Sequence, residues 1–212
     1  MQPKTPLADG SGMKYGTLPS GLLWQSSGEL YSGGCTPVNQ SISECYELKL
    51  SGSVDEHLDP KHLHSPRQRV EFRSPGEVGD GTSWIYTWNS FYPSANLNST
   101  NTFFHFMQIF SQADSGPVYY FDLLRNRDAV VKNWLTNTTI AKVPIEKVMD
   151  LTLHHRVEVT YGPQGRLDYT VSQKSNGTTI LHVEEAGYMG TGGCYLKFGM
   201  YRRVWEGMGP AL

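Results

Sequence analysis

The chain has 212 residues, a formal net charge of −2, 18% charged residues, 12% aromatics, 22 Gly and 12 Pro. That length suits one domain with a sizeable core, and the near-neutral charge argues against nucleic acid as the main partner. Recurring aromatic and β-branched runs exclude disorder, and no apolar stretch approaches the length of a membrane span.

Residues 1–28 are rich in Gly, Ser and Pro around one apolar spot, Leu22–Trp24. They read as an N-terminal arm or edge strand of a single domain covering residues 1–212. The start, MQPKTPLADGSG, reads as a mature N-terminus without a signal peptide. Cys35 and Cys45 bracket a short polar loop. A metal site would need a second such pair, so a local disulfide is the simpler reading, with Cys194 left as a buried thiol. Sequons at Asn39, Asn98, Asn137 and Asn176 favour a secreted, extracellular glycoprotein.

Strand signals begin at Tyr46–Leu50. Residues 52–66, with Asp59, His62 and His64, read as a polar loop rather than a metal site. Strands follow at Arg69–Arg73, Trp84–Asn89, Phe103–Phe110 and Val118–Leu124. The run Arg125–Asp128 reads as a charged turn, and Ile145–Met149 as a short helix. Further strands are Leu153–Tyr161, Arg166–Gln173 and Thr178–Val183, the last two joined by the Asn176-Gly177 turn, and finally Cys194–Arg202. Roughly ten strands at near-regular spacing predict an all-β, jelly-roll β-sandwich of two antiparallel sheets. One sheet face would form a concave substrate groove.

Side chains alternate across a strand. In RVEFR, Arg69, Glu71 and Arg73 share one face, with Val70 and Phe72 on the other. In FFHFMQIF, strict alternation groups Phe104, Phe106, Gln108 and Phe110 against His105, Met107 and Ile109, so His105 is expected on the core face as a structural histidine. In CYLKFGMYR, Tyr195, Lys197, Gly199 and Tyr201 share a face, and Gly199 is expected to leave room for a ligand. His154-His155 lies in a strand, so one of the two rings should face inward.

Three of these segments are similar to motifs of the jelly-roll alginate lyases, which carry Arg-x-Glu-x-Arg, Gln-Ile-His and Tyr-Phe-Lys-x-Gly-x-Tyr on three strands. Here they are Arg69-Val70-Glu71-Phe72-Arg73, Gln108-Ile109-Phe110 and Tyr195-Leu196-Lys197-Phe198-Gly199-Met200-Tyr201. The chain most resembles the fungal glucuronan lyase family. Phe110 stands where the alginate lyases have His. The resemblance implies a polysaccharide lyase acting on an acidic polysaccharide, with glucuronan favoured and alginate as the alternative. Tyr201 would be base and acid of a syn β-elimination, helped by its basic neighbours toward the phenolate. Gln108 and Arg69 would neutralise the uronate carboxylate, while Glu71, Arg73, Tyr195 and Lys197 bind and orient. No cofactor is required for that chemistry. A structural calcium ion fits the family, although the sequence has no calcium loop, and a monomer is expected. Two other readings use the same sandwich. A glycoside hydrolase needs a carboxyl pair, and only Glu71 lies on the three groove strands. A non-catalytic carbohydrate-binding module would use Trp84, Tyr86 and Trp88.

Overall fold

The computed structural model describes residues 4–34 and 44–212. The described chain is almost entirely β, in three antiparallel sheets joined by turns and short 3-10 segments. The large sheet has eight strands in the order β11 (Thr138–Pro144), β10 (Asp128–Asn133), β9 (Gly116–Leu123), β8 (Phe104–Ser111), β15 (Cys194–Arg203), β6 (Arg67–Arg73), β3 (Leu23–Ser26) and β2 (Lys14–Thr17). A four-stranded sheet runs β14 (Thr179–Gly187), β13 (Gly165–Gln173), β12 (Thr152–Thr160) and β7 (Ser83–Phe91). A third sheet joins β1 (Thr5–Asp9), β4 (Glu29–Ser32) and β5 (Tyr46–Lys49).

Both smaller sheets pack on one face of the large one. Trp88 of β7 stacks on Phe198 of β15 at 4.8 Å, and Phe121 of β9 meets Tyr169 of β13 edge-on. Tyr46 of β5 meets Phe72 of β6 at 5.3 Å. The sandwich is present, and its second layer is divided between two sheets. His155 is the inward ring of its pair. It is fully buried, bonds Ser90 Oγ and the Tyr169 hydroxyl, and burial pushes its pKa down to about 3, so it is a neutral core residue.

The N-terminal arm is more structured than its composition suggests. It contributes β1 to the small sheet and β2 and β3 to the rim of the large one. The expected helix at Ile145–Met149 is a single 3-10 turn, Ile145–Lys147. Three strands had no sequence signal strong enough to be singled out: β4, β10 and β11. They are short, or flanked by Gly, Thr and charged residues that also read as turn. Cys194 is a buried free thiol. The partner expected for Cys45, Cys35, lies outside the described residues.

Two irregularities decide what faces outward. In β8, His105 pairs with Asp122 of β9 and Met107 with the next residue, Phe121, so Phe106 is an extra residue on β8. A bulge of this kind breaks the period-two alternation. Phe104, Phe106, Met107 and Ile109 all join the core, while His105 turns outward with Gln108. The strict alternation expected from sequence therefore fails here, and Phe104 and Phe106 are not groove residues. Across the neighbouring pair, β15 carries its own extra residue between Phe198 and Tyr201. Gly199 sits there with φ +133°, and a Cβ would stand 2.4 Å from the Val70 carbonyl oxygen. Its bareness admits the backbone of β6, not a ligand.

Candidate functional site

The strand order β8–β15–β6 brings the three motifs side by side. In register, Tyr201 lies between Arg69 and His105, and Lys197 between Arg73 and Gln108. These side chains project from the face of the large sheet that is away from the core. On an open sheet they would be solvated. Here Tyr201 is 7% exposed and Lys197 8%, and Arg69, Glu71, His105 and Gln108 are buried as well. The face is a recess, walled in part by the loop before β6.

Glu71 is the hub. Its Oε1 accepts from Gln108 Nε2 at 2.5 Å, and its Oε2 accepts from Gln25 Nε2 at 3.0 Å and from Arg69 at 3.4 Å. Arg69 is held on its other side by the buried carboxylate of Asp59 at 2.6 Å, and its guanidinium lies 4.2 Å from the centroid of the Tyr201 ring. The Tyr201 hydroxyl accepts a short hydrogen bond from Arg67. Arg73 lies over the Tyr195 ring at 3.8 Å and pairs with Glu77 at 2.8 Å, and Phe110 stacks on the same Tyr195 ring at 4.9 Å.

Lys197 differs from the arginines. Its ammonium lies 4.3 Å from the Phe110 ring centroid and has no ion-pair or hydrogen-bond partner among the described residues. Burial lowers its pKa below the ordinary lysine value, and Arg69 and Arg73 add to that, against the pull of Glu71. A desolvated cation held in direct contact with no carboxylate carries an unrecovered burial cost that an incoming anion would relieve.

The tyrosine departs from expectation. Burial raises the Tyr201 pKa above 10, and Arg69 and Arg67 only partly offset it. The resting group is a phenol, not a phenolate favoured by its basic neighbours. Arg69, expected to meet a substrate carboxylate, already has two carboxylates of its own. Its present contacts fix the Tyr201 ring.

Three residues of the recess escaped the sequence reading. Arg67 shares the parity of Arg69 and Arg73 but fell outside the strand boundary drawn at Arg69. Asp59, read as part of a polar loop, is buried against Arg69. His105 was assigned to the core by alternation. It stands with its Nδ1 3.6 Å from Asp122 Oδ1 and its ring 5.8 Å from that of Tyr201, and its Nδ1 is buried without a hydrogen bond. The sequence signal for it was the unbroken run Phe103–Met107, too apolar for one face of a half-exposed strand.

Features elsewhere among the described residues are of other kinds. Trp88 and Tyr86 pack against the core and Trp84 stacks on Tyr86, so the aromatics expected to serve a binding module do not line the recess. Asp168, His182 and Glu184 gather on the four-stranded sheet with ligand atoms within 4.8 Å of one another. Arg166 lies 3.7 Å from Glu184, and a mixed nitrogen and carboxylate set is a poor match to the all-oxygen shell calcium takes. A cavity of about 610 Å³ lies between the sheets, lined by Phe72, Trp88 and Phe198. It borders Gly34 and Glu44, the residues next to the undescribed segment. No helix of the described residues is long and apolar enough to cross a membrane. Compared with protein-family models and with curated proteins, the chain gives no match.

Proposed function

We propose that the protein is a polysaccharide lyase that cuts a β-1,4-linked polyuronate, glucuronan before alginate, by syn β-elimination. The observation that supports this reading is Lys197, a nearly buried ammonium without an ion-pair or hydrogen-bond partner among the described residues, four residues along β15 from a recessed tyrosine. The elimination removes the C5 proton of a uronate and expels the C4 oxygen. The proton is a very weak acid until the adjacent carboxylate is neutralised, so the site must supply positive charge or donors to that carboxylate as charge develops on it. Lys197 and the Gln108 amide are the groups best placed for this. Glu71 orients Gln108, and Arg69 with Asp59 behind it positions Tyr201. Tyr201, in the phenolate form that is a minority at neutral pH, takes the C5 proton and then gives it to the leaving C4 oxygen, which regenerates the phenolate. No cofactor enters these steps, and a secreted monomer with an optional structural calcium ion belongs to the same proposal.

A panel of glucuronan, alginate, pectate and heparin, followed by the ultraviolet absorbance of an unsaturated uronate, tests the reading. Glucuronan should give the fastest rise. Binding without any rise on all four polymers would leave a non-catalytic carbohydrate-binding sandwich. Within the reading, Lys197→Met and Gln108→Ala should each lower kcat by about 10²-fold while costing much less in denaturant midpoint. A variant with near-normal turnover and a cooperative melt removes that residue from the neutralising role. Polyuronate affinity should also fall as pH rises through the depressed pKa of Lys197, because the carboxylate binds only the ammonium form. That slope should vanish in Lys197→Met.

His105 supports a second reading, in which it is the base and Tyr201 the acid. Its carboxylate neighbour Asp122 and its outward position are what such a base needs. His105→Gln discriminates the two. With Tyr201 acting alone, turnover stays within about tenfold of wild type, and a fall of roughly 10²–10⁴-fold would transfer the proton abstraction to His105.

A further inference from the structure

The recess does not stop at Gln108. β10 pairs with β9 without a register shift, so Val130 and Lys132 face outward while Ala129 and Val131 enter the core, and the same alternation carries Trp134 outward at the strand end. In register, Lys132 stands beside Tyr120, Tyr120 beside Gln108, Gln108 beside Lys197, and Lys197 beside Arg73. These residues form one row across five adjacent strands, spaced by about 4.8 Å per strand. Trp134 closes the far end of the row. Its ring centroid is 6.2 Å from that of Tyr120, yet it is 55% exposed, more than the other exposed tryptophan, Trp84.

Cations stand at both ends of the row, Lys132 at one and the adjacent pair Lys197 and Arg73 at the other, with the neutral Tyr120 and Gln108 between them. A polyuronate laid across the strands presents a carboxylate at each ring and an apolar C–H face between carboxylates. The exposed indole suits such a face, and the ammonium of Lys132 suits a carboxylate. Lys132 is meanwhile steadied by a 2.9 Å hydrogen bond to Asn137 Oδ1. From this continuity and charge pattern we propose that Trp134 and Lys132 form a distal subsite that takes a uronate unit of the same chain several rings from Tyr201. This rests on the polyuronate reading above and extends it to the length of substrate the protein engages. The competing occupant of Trp134 is an N-glycan on Asn137, which lies in the same turn and heads a sequon.

The test uses Trp134→Ala and Lys132→Ala in the full chain, produced in a bacterial host that attaches no N-glycans. Binding of glucuronan is followed by calorimetry, and kcat and KM are measured on the polymer and on oligomers of graded length. KM for the polymer should rise about tenfold in each variant with the kcat change small, the mark of lost binding shared by ground and transition state. The difference from wild type should shrink as the oligomers become too short to reach β10. Equal KM on the polymer for variant and wild type overturns the subsite and leaves the lyase reading intact. Tight polymer binding that the variants lose, with no turnover by the wild type, keeps the subsite and overturns the lyase reading. No binding of glucuronan to the wild type overturns both. Trp134 lies in an exposed turn, so its replacement leaves the core untouched, and a melting curve matching wild type verifies this.

Discussion

Tyr201→Phe should fold, bind glucuronan and lose nearly all turnover. The ring keeps its contacts with the Arg69 guanidinium at 4.2 Å and with Phe103 at 5.4 Å, so only the hydroxyl is removed. If that oxygen both accepts and returns the proton, kcat falls by roughly 10²–10⁴-fold or more. The pH profile carries a further signature. Burial holds the phenol above its ordinary pKa, so the base form grows as pH rises and turnover should climb through the neutral range. The climb ends where Lys197 loses its proton, and burial brings that limit down. The result is a bell with an alkaline optimum. Tyr201→Phe should flatten it, and Lys197→Met should remove the descending limb alone. In a β-1,4-linked glucuronate or mannuronate the C5 hydrogen and the C4 oxygen lie on one side of the ring, which one residue can serve. Polymers of guluronate or iduronate, which need anti elimination, should be poor substrates. Substantial activity of Tyr201→Phe, or a preference for polyguluronate, would reject the one-residue mechanism.

Arg202→Met should cost most of the folding free energy. Arg202 is fully buried, and no carboxylate among the described residues pairs with it. Its guanidinium donates to the Gln68 side-chain oxygen and to the carbonyls of Ser51, Ser99 and Gly209, at 2.7–3.0 Å. Burial lowers its pKa to about 10, so it stays charged at neutral pH. Replacing a buried ion by an apolar residue can be harmless when its partners are replaced too. Here the partners are mostly backbone and cannot be. The Ser51 carbonyl keeps a bond from Gln68 Nε2, but the Ser99 and Gly209 carbonyls and the Gln68 oxygen are left without a donor. Such losses cost about 1–3 kcal/mol each, against a typical total of about 5–15 kcal/mol. For a domain of this size Tm should drop by about 10–20 °C, and Arg202→Lys, with three donors, should recover part of it. A Tm for Arg202→Met within about 3 °C of wild type would show that water or a rearranged loop satisfies these carbonyls.

The loss would reach the recess. Gln68 also holds the carbonyls of Ser53 and Glu56, and that loop leads to Asp59, which grips Arg69. The buried guanidinium thus steadies the tyrosine from the far side of the strand that carries both Tyr201 and Arg202.

Period-two alternation read β6 and β15 correctly. Val70, Phe72, Leu196 and Met200 lie on the core side, and Arg69, Glu71, Lys197 and Tyr201 on the other. It worked because each face of those strands carries one kind of residue. It failed in β8, where the count of residues between pairing partners is not visible in a single sequence and both faces offered aromatics. The loop residue Asp59 was illegible for a different reason. Its role depends on a guanidinium ten positions away, and polar composition alone assigns it to solvent. The motifs fixed which side chains share the recess but not who neutralises whom. That depends on distances, and those show Arg69 already matched and Lys197 not.

The extra residue in β8 has a genetic reading. Deleting the single codon for Phe106 would restore strict alternation between Phe104 and Gln108. No chemical group of the recess would be removed by that change. Its expected product would keep His105 and Gln108 outward and Phe104 and Met107 in the core, so the recess would survive the loss of the bulge, and the one added residue is what makes core and recess positions break step along β8. A comparison with related chains lacking the extra residue that allows no gap in this strand would therefore align a recess residue with a core residue and see substitution where there is only slippage.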